Sequence, residues 1–366
     1  DGTVLHVDQK LMQMALQYGL SEGMGELREW LIAFQKRMHA PPTLLDSQHP
    51  GRFDLVLTNG ANEAIALCFG LLLDQGDYAL CEAATYATAM SMMPPIGAAF
   101  YGVKSDDQGI DPEDLERILS TWSTVKPGTK KPKVLYAITS GGNPTGVTWS
   151  LERKRAVYQV ARSHDLIILE DDAYYFLQFS RPLVPTFLSM DVDGRILRLD
   201  TFSKVVAPGL RVGVVSGPQP ILQKMRQQKD CLSVHPSGLS QVLLLQLLKH
   251  WGQDGLLDHA DELKDFYKKK ADTAVQSATK YLAGLAEWVP PTGGFFLWMR
   301  VLGVKDASEI VDKALERRVI VVAGCHFLPS NPKSPYIRLN FALAADEEIE
   351  EAFRILGDII RDECKK

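Results

Sequence analysis

A chain of 366 residues with 46% hydrophobic content has more to bury than one core usually serves, so two domains are expected. A net charge of −5 with both signs interspersed argues against a nucleic-acid surface, and no apolar run reaches the ~18 residues of a membrane span. The five cysteines (Cys68, Cys81, Cys231, Cys325, Cys364) are scattered, with no CxxC and no histidine at ligand spacing, which argues against a disulfide or zinc framework and for a reducing compartment.

In chain order, helices are expected around 9–18 and 25–38. The run Phe53-Asp54-Leu55-Val56-Leu57-Thr58 reads as a strand; it ends in Asn59-Gly60, and a helical pattern covers 61–73. Strand, glycine turn and helix form the grammar of an α/β layer. Similar apolar runs recur at 78–82, 134–139, 166–170, 196–199 and 212–216, several with amphipathic helices between them. Near-continuous apolar strands belong in a mostly parallel sheet covered on both faces. From 255 the texture changes to long charged helices, then strands over 295–301, 319–322 and 336–342, and a closing helix over 346–363. The division read from this is 1–38 as N-terminal helices joining the smaller domain, 39–254 as the large domain and 255–366 as a smaller α+β domain.

The residues with chemical content sit at the ends of the predicted large-domain strands. Thr201-Phe202-Ser203-Lys204, with Arg211 seven residues on, describes an amine beside an anion site, although an isolated lysine in a loop is more often a surface residue. An amine that attacks a carbonyl must shed its proton near neutral pH, which burial or a neighbouring cation arranges. The apolar strand at 166–170 runs into Asp171-Asp172-Ala173-Tyr174-Tyr175, and paired carboxylates there either serve a cation or cap a helix. Gly141-Gly142-Asn143-Pro144-Thr145-Gly146 follows the strand ending at Thr139 and would also serve as a bare turn. Arg338, in Tyr336-Ile337-Arg338-Leu339-Asn340, puts a guanidinium inside an apolar strand, where it suits bidentate capture of a carboxylate.

In order, Asn-Pro-Thr-Gly, Asp-x-Ala-Tyr, the Ser-Lys pair with its trailing arginine, and the late strand arginine resemble the fold type I pyridoxal-phosphate aminotransferases. The stretches Tyr174 to Phe179, Val184 to Arg195 and Gly284 to Trp288 are similar to the kynurenine/α-aminoadipate branch of that family, and the likeness runs over nearly the whole chain. The resemblance implies a large domain with a mostly parallel seven-stranded sheet flanked by helices and a smaller α+β domain. It implies a pyridoxal 5'-phosphate cofactor held covalently by Lys204, which also moves the substrate proton. Asp171 would pair with the pyridinium nitrogen, leaving Asp172 away from it, and Tyr174 and Asn143 would bond the phenolic oxygen. Tyr86 would stack on the ring. Gly60, Ala61 and Asn62 at a helix start, with Thr201, Ser203 and Arg211, would hold the phosphate. Position 61 is alanine where close relatives carry serine, and Thr139 stands where many carry proline.

Arg338, assisted by Asn143, is implied to grip the α-carboxylate, with Tyr86, Phe296 and Leu20 around a roomy apolar pocket. Tyr18 matches a tyrosine that reaches the partner subunit's phosphate, so a homodimer with shared active sites is implied, with the N-terminal helices in the dimer contact. The implied reaction moves an amino group from a large amino acid (kynurenine, α-aminoadipate, aromatic or aliphatic) to a 2-oxo acid such as 2-oxoglutarate, by a ping-pong mechanism without a metal. A β-lyase or other fold type I enzyme, or a regulator domain behind a DNA-binding module, would use the same frame. The chain starts at Asp1 rather than a methionine, which leaves the compartment open between cytoplasm and mitochondrial matrix.

Overall fold

The computed structural model describes residues 2, 4–330 and 332–363. Asp1 and Cys364 lie outside these. Thirteen strands occur among the described residues. Those of the larger part are β1 (Phe53–Thr58), β2 (Tyr78–Glu82), β3 (Ala99–Val103), β4 (Ser105–Asp106), β5 (Gly109–Ile110), β6 (Val134–Ala137), β7 (Ile167–Asp171), β8 (Ile196–Thr201) and β9 (Gly213–Pro218). They are followed by β10 (Ala286–Trp288), β11 (Phe296–Val301), β12 (Val322–Ala323) and β13 (Tyr336–Asn340).

Seven of the strands form one sheet in the order β1-β9-β8-β7-β6-β2-β3. Pairing is parallel from β8 through β7, β6 and β2 to β3, and antiparallel on both sides of β9. Only β9 is therefore reversed, and β1, β2, β6, β7 and β8 all point their carboxyl ends at one edge. β9 begins at that same edge, two residues after Arg211. Ligands of open α/β sheets gather at such an edge. β1, β6 and β9 are buried along their whole length, which accounts for their uninterrupted apolar runs.

β10, β11, β13 and β12 make a separate antiparallel sheet. The apolar stretch 319–322, expected as a strand, pairs only at Val322–Ala323, and Ile320 is 78% exposed. β3 and β10 were not visible as strands in the sequence: one is a half-buried edge strand, the other three residues long. A helical run over Gly238–Leu282 links the two sheets and is interrupted at Gly252. The N-terminal helix Gly25–His39 buries Leu27, Leu31 and Phe34 with Leu55, Leu57, Val214 and Leu244. That helix packs on the larger layer, where the sequence assigns the N-terminal helices to the smaller one.

Candidate active site

Loops at the shared edge of the large sheet enclose a cavity of about 350 Å³. Every expected site side chain lines it except those of Tyr18 and Leu20. Leu20, expected beside the pocket, is exposed. Tyr18 is 84% exposed, its ring edge-on to His235 at 6.5 Å.

One end of the cavity is built for an anion. β1 ends at Thr58, and the chain turns at Gly60 into the helix Ala61–Leu72, whose first N–H groups have no partner within the helix. Arg211 lies against this turn: Nη2 donates to the Asn59 carbonyl at 3.2 Å, and Nη1 to Ser203 Oγ at 3.4 Å and to the Pro208 carbonyl at 3.3 Å. A Cβ on Gly60 would stand 2.5 Å from Arg211 Nη2. Thr201 Oγ1 donates to Ser203 Oγ at 2.9 Å, so both hydroxyls cluster there. Arg211 spends these bonds on neutral oxygens, leaving its charge for a ligand at the helix start. Alanine at 61 removes a hydroxyl but not the backbone donor.

Lys204 follows β8 in the same loop. Burial, and then the charge of Arg211, lower its proton affinity, with Asp171 opposing. Its Nζ lies 5.6 Å from the centre of the Phe295 ring. Asp171 closes β7. Its Oδ2 accepts a 2.6 Å bond from the Tyr136 hydroxyl, while Oδ1 is buried with no partner among the described residues. Burial pushes the carboxyl up to about 6, and the Tyr136 bond counters this. A buried carboxylate oxygen without a donor is costly, and a cationic N–H placed against it would remove the cost. Tyr174 is buried and meets the rings of Phe295 and Phe296 edge-on at 5.2 and 5.9 Å. Burial raises its phenol well above the usual range. Tyr86 donates to Asn62 Oδ1 at 3.3 Å across the cavity mouth.

Asp172 points elsewhere. It pairs with the fully buried Arg198 at 3.2 Å, and Arg198 also pairs with Asp200. The two adjacent carboxylates thus have different surroundings, Asp171 the cavity and the Tyr136 hydroxyl, Asp172 a buried guanidinium.

Arg338 comes from the other sheet, opposite Trp298 in the β11–β13 register. Its Nη1 donates to Asn143 Oδ1 at 2.8 Å, its guanidinium carbon stands 4.4 and 4.7 Å from the ring centres of Phe296 and Phe327, and Nε has no partner among the described residues. Burial lowers its proton affinity, yet a guanidinium stays charged. Two donors and a planar charge thus remain for a carboxylate.

The loop carrying Asn143 is held from both ends. Thr139 Oγ1 donates to Glu170 at 3.0 Å. Thr292 donates through its N–H to the Gly146 carbonyl at 2.9 Å and accepts from Thr148 N at 2.7 Å. Gly141 and Gly294 meet backbone to backbone: a Cβ on Gly141 would lie 2.5 Å from Gly294 N.

Sequence reasoning missed several lining or supporting residues, among them Phe295, Asn340 and Tyr136. Phe295 precedes Phe296, and Asn340 lies two residues beyond Arg338 on the same strand; this proximity to predicted site residues was their only signal. Tyr136 reads as a core aromatic inside an apolar strand.

The aminotransferase class I and II family model matches residues 5–356. The kynurenine/α-aminoadipate aminotransferase of Mus musculus, a mitochondrial protein by its name, is 41% identical over 99% of this chain and 86% of its own length. Among solved structures, the kynurenine aminotransferase of Pyrococcus horikoshii, in complex with PMP, KYN as substrates and KYA as products, superposes with a TM-score of 0.90 at 29% identity, over 98% of this chain and 85% of that one. The α-aminoadipate aminotransferase of Thermus thermophilus, complexed with N-(5'-phosphopyridoxyl)-L-leucine, gives 0.84 at 27% identity, over 96% and 85%.

Proposed function

The chain belongs to the aminotransferase class I and II family, and we propose that it is a pyridoxal-phosphate-dependent transaminase that moves the amino group of a large amino acid to a 2-oxo acid. Kynurenine, α-aminoadipate and aromatic or aliphatic amino acids are the donor candidates, with 2-oxoglutarate as an acceptor. The carrying observation is that Lys204, Asp171 and Arg338 converge on one cavity from three separate segments.

The residues fit pyridoxal 5'-phosphate. Asp171 Oδ1 is an acceptor awaiting a donor, Arg211 and the helix start offer a phosphate site, and Lys204 is an amine with depressed proton affinity. When bound, the ring supplies an electron sink for the substrate α-carbon. Asp171 would hold the ring nitrogen protonated, with Tyr174 and Asn143 bonding the phenolic oxygen and Tyr86 covering the ring. Ala61, Asn62, Thr201 and Ser203 would complete the phosphate cradle. Lys204, once displaced by substrate, would take the proton from the α-carbon and return it elsewhere. Arg338 and Asn143 would fix the α-carboxylate and so decide which bond of the α-carbon breaks. Phe296 and Tyr86 would face the side chain.

We read the molecule as a homodimer in which Tyr18 completes the partner's site. Leu16, Tyr18 and Leu20 are 70%, 84% and 69% exposed, and Leu232 nearby in the fold is 69% exposed, an apolar display that suits a second copy. The proposed division of the chain, 39–254 against 255–366, falls beside the break at Gly252. Cytoplasm or mitochondrial matrix suits the thiols, with Cys68 and Cys81 buried and unpaired. Among the described residues no helix is long and apolar enough to cross a membrane.

A donor panel with 2-oxoglutarate fixed tests the reaction. Kynurenic acid and glutamate from L-kynurenine support it; pyruvate and ammonia from a cysteine conjugate, with no glutamate from any donor, would overturn it in favour of elimination.

A further inference from the structure

Nothing in the family motifs singles out Tyr136, yet its hydroxyl makes the one hydrogen bond that the Asp171 side chain receives among the described residues. The two sit on neighbouring parallel strands, β6 and β7. The Tyr136 ring is wedged edge-on against Phe69 at 5.9 Å and tilted against Phe100 at 5.8 Å. Both residues are buried, so the phenol cannot exchange Asp171 for water. Oδ2 is thereby occupied, and Oδ1 is the oxygen left for the cavity.

We propose that Tyr136 is a positioning residue: it fixes the rotation of the Asp171 carboxyl and keeps it ionised, so that Oδ1 is presented as a charged acceptor to the cofactor's ring nitrogen. This rests on the functional reading above. The surroundings explain why such a donor is required. Asp172, next in the chain after β7, and Asp200 on β8 both oppose a negative charge at Asp171, while Glu82 on β2 is itself pushed up by burial and by the charge of Asp171. The charge of Lys204 favours ionisation of Asp171. Cys68, from the helix Ala61–Leu72, and Tyr174 are held neutral by burial and lend no charge. Burial works in the same direction as the neighbouring carboxylates, and the phenol is the principal counterweight. A phenol donating to Oδ2 also stays a phenol, because burial and the adjacent Asp171 raise its own proton affinity.

The test is the binding of pyridoxal 5'-phosphate to cofactor-free protein, followed by fluorescence quenching from pH 5 to 9, for the wild type, Tyr136→Phe and Asp171→Asn. Binding by the wild type should weaken as pH falls through about 6, where Asp171 takes up a proton. Tyr136→Phe keeps the ring packing but removes the donor, and should move that limb upward by about one pH unit. Asp171→Asn should abolish the limb and lower affinity at every pH. An unmoved limb in Tyr136→Phe, with the limb lost in Asp171→Asn, overturns the role of Tyr136 and leaves the site reading standing. Unchanged binding in Asp171→Asn overturns both. A melting temperature recorded for each variant separates a packing defect, which lowers the melting point without shifting the limb.

Discussion

Arg338 Nη1 and Asn143 Oδ1, 195 positions apart in sequence, are joined by a 2.8 Å hydrogen bond. One residue belongs to the four-stranded sheet and the other to the loop after β6. The proposed carboxylate clamp therefore depends on the two layers being docked. Arg338→Ala is expected to raise KM for amino acid and oxo acid together, each by about 10²-fold, because one clamp holds both substrates' α-carboxylates. Steady-state kinetics varying each substrate in turn checks this; a rise for only one would place the clamp elsewhere.

Lys204→Ala should remove covalent cofactor attachment and lower turnover by about 10²–10⁴-fold or more, the range for loss of a positioned base. Borohydride reduction followed by mass measurement reads the attachment directly: the wild type gains the cofactor's mass and the variant does not.

The neighbours Asp171 and Asp172 should separate by readout. Asp171→Ala is expected to cripple turnover. Asp172→Ala removes one of two partners of a buried guanidinium and should cost about 3 kcal/mol of stability while affecting turnover less. Urea unfolding alongside kcat measures both, and the reverse order would show that the wrong carboxylate has been assigned to the ring.

Gly60→Ala should weaken cofactor binding without unfolding the chain. The new methyl collides with Arg211 Nη2, and φ at this position is +77°, a strain of about 1 kcal/mol for alanine. Equilibrium dialysis against pyridoxal phosphate checks the loss of affinity.

Glu82 gives a pH signature. Burial pushes its carboxyl up to about 7, opposed by hydrogen bonds from Ile138 N–H and the Trp149 indole. The folded value lies above the unfolded one, so its proton stabilises the fold at low pH, and that contribution is lost as pH rises from about 4.5 to about 7. Relative to Glu82→Gln, the cofactor-free wild type should lose on the order of 3 kcal/mol across that window and nothing further above it. Paired urea titrations at pH 4.5, 6, 7 and 8 measure the difference.

Much of this was legible in the sequence because the chemistry sits where apolar strands stop. Buried parallel strands announce themselves as runs of Val, Ile and Leu, and the polar residues that break those runs, Asp171, Asn143 and Lys204, were conspicuous for that reason. Arg338 stood out as a charge inside a strand. β3 stayed hidden because an edge strand is only partly buried and its composition carries no clear period. The stretch 319–322 misled for the opposite reason: it is apolar, yet Ile320 faces solvent and only its last residue pairs. Tyr136 was unreadable because an aromatic in a core strand looks the same whether its hydroxyl meets water or a carboxylate. Only the register of β6 against β7 reveals the partner.

The contact between Gly141 and Gly294 limits how this chain can vary. A Cβ on Gly141 would press on the Gly294 backbone, and one on Gly294 would come within 2.8 Å of the Gly141 carbonyl oxygen. Each position forbids change at the other, and no second substitution relieves the first, since the obstacle is main chain on both sides. The crossing acts as a mutational deadlock: drift can rework the pocket walls around it, but the seam that keeps Asn143 within reach of Arg338 has no stepwise route to a different pair of residues.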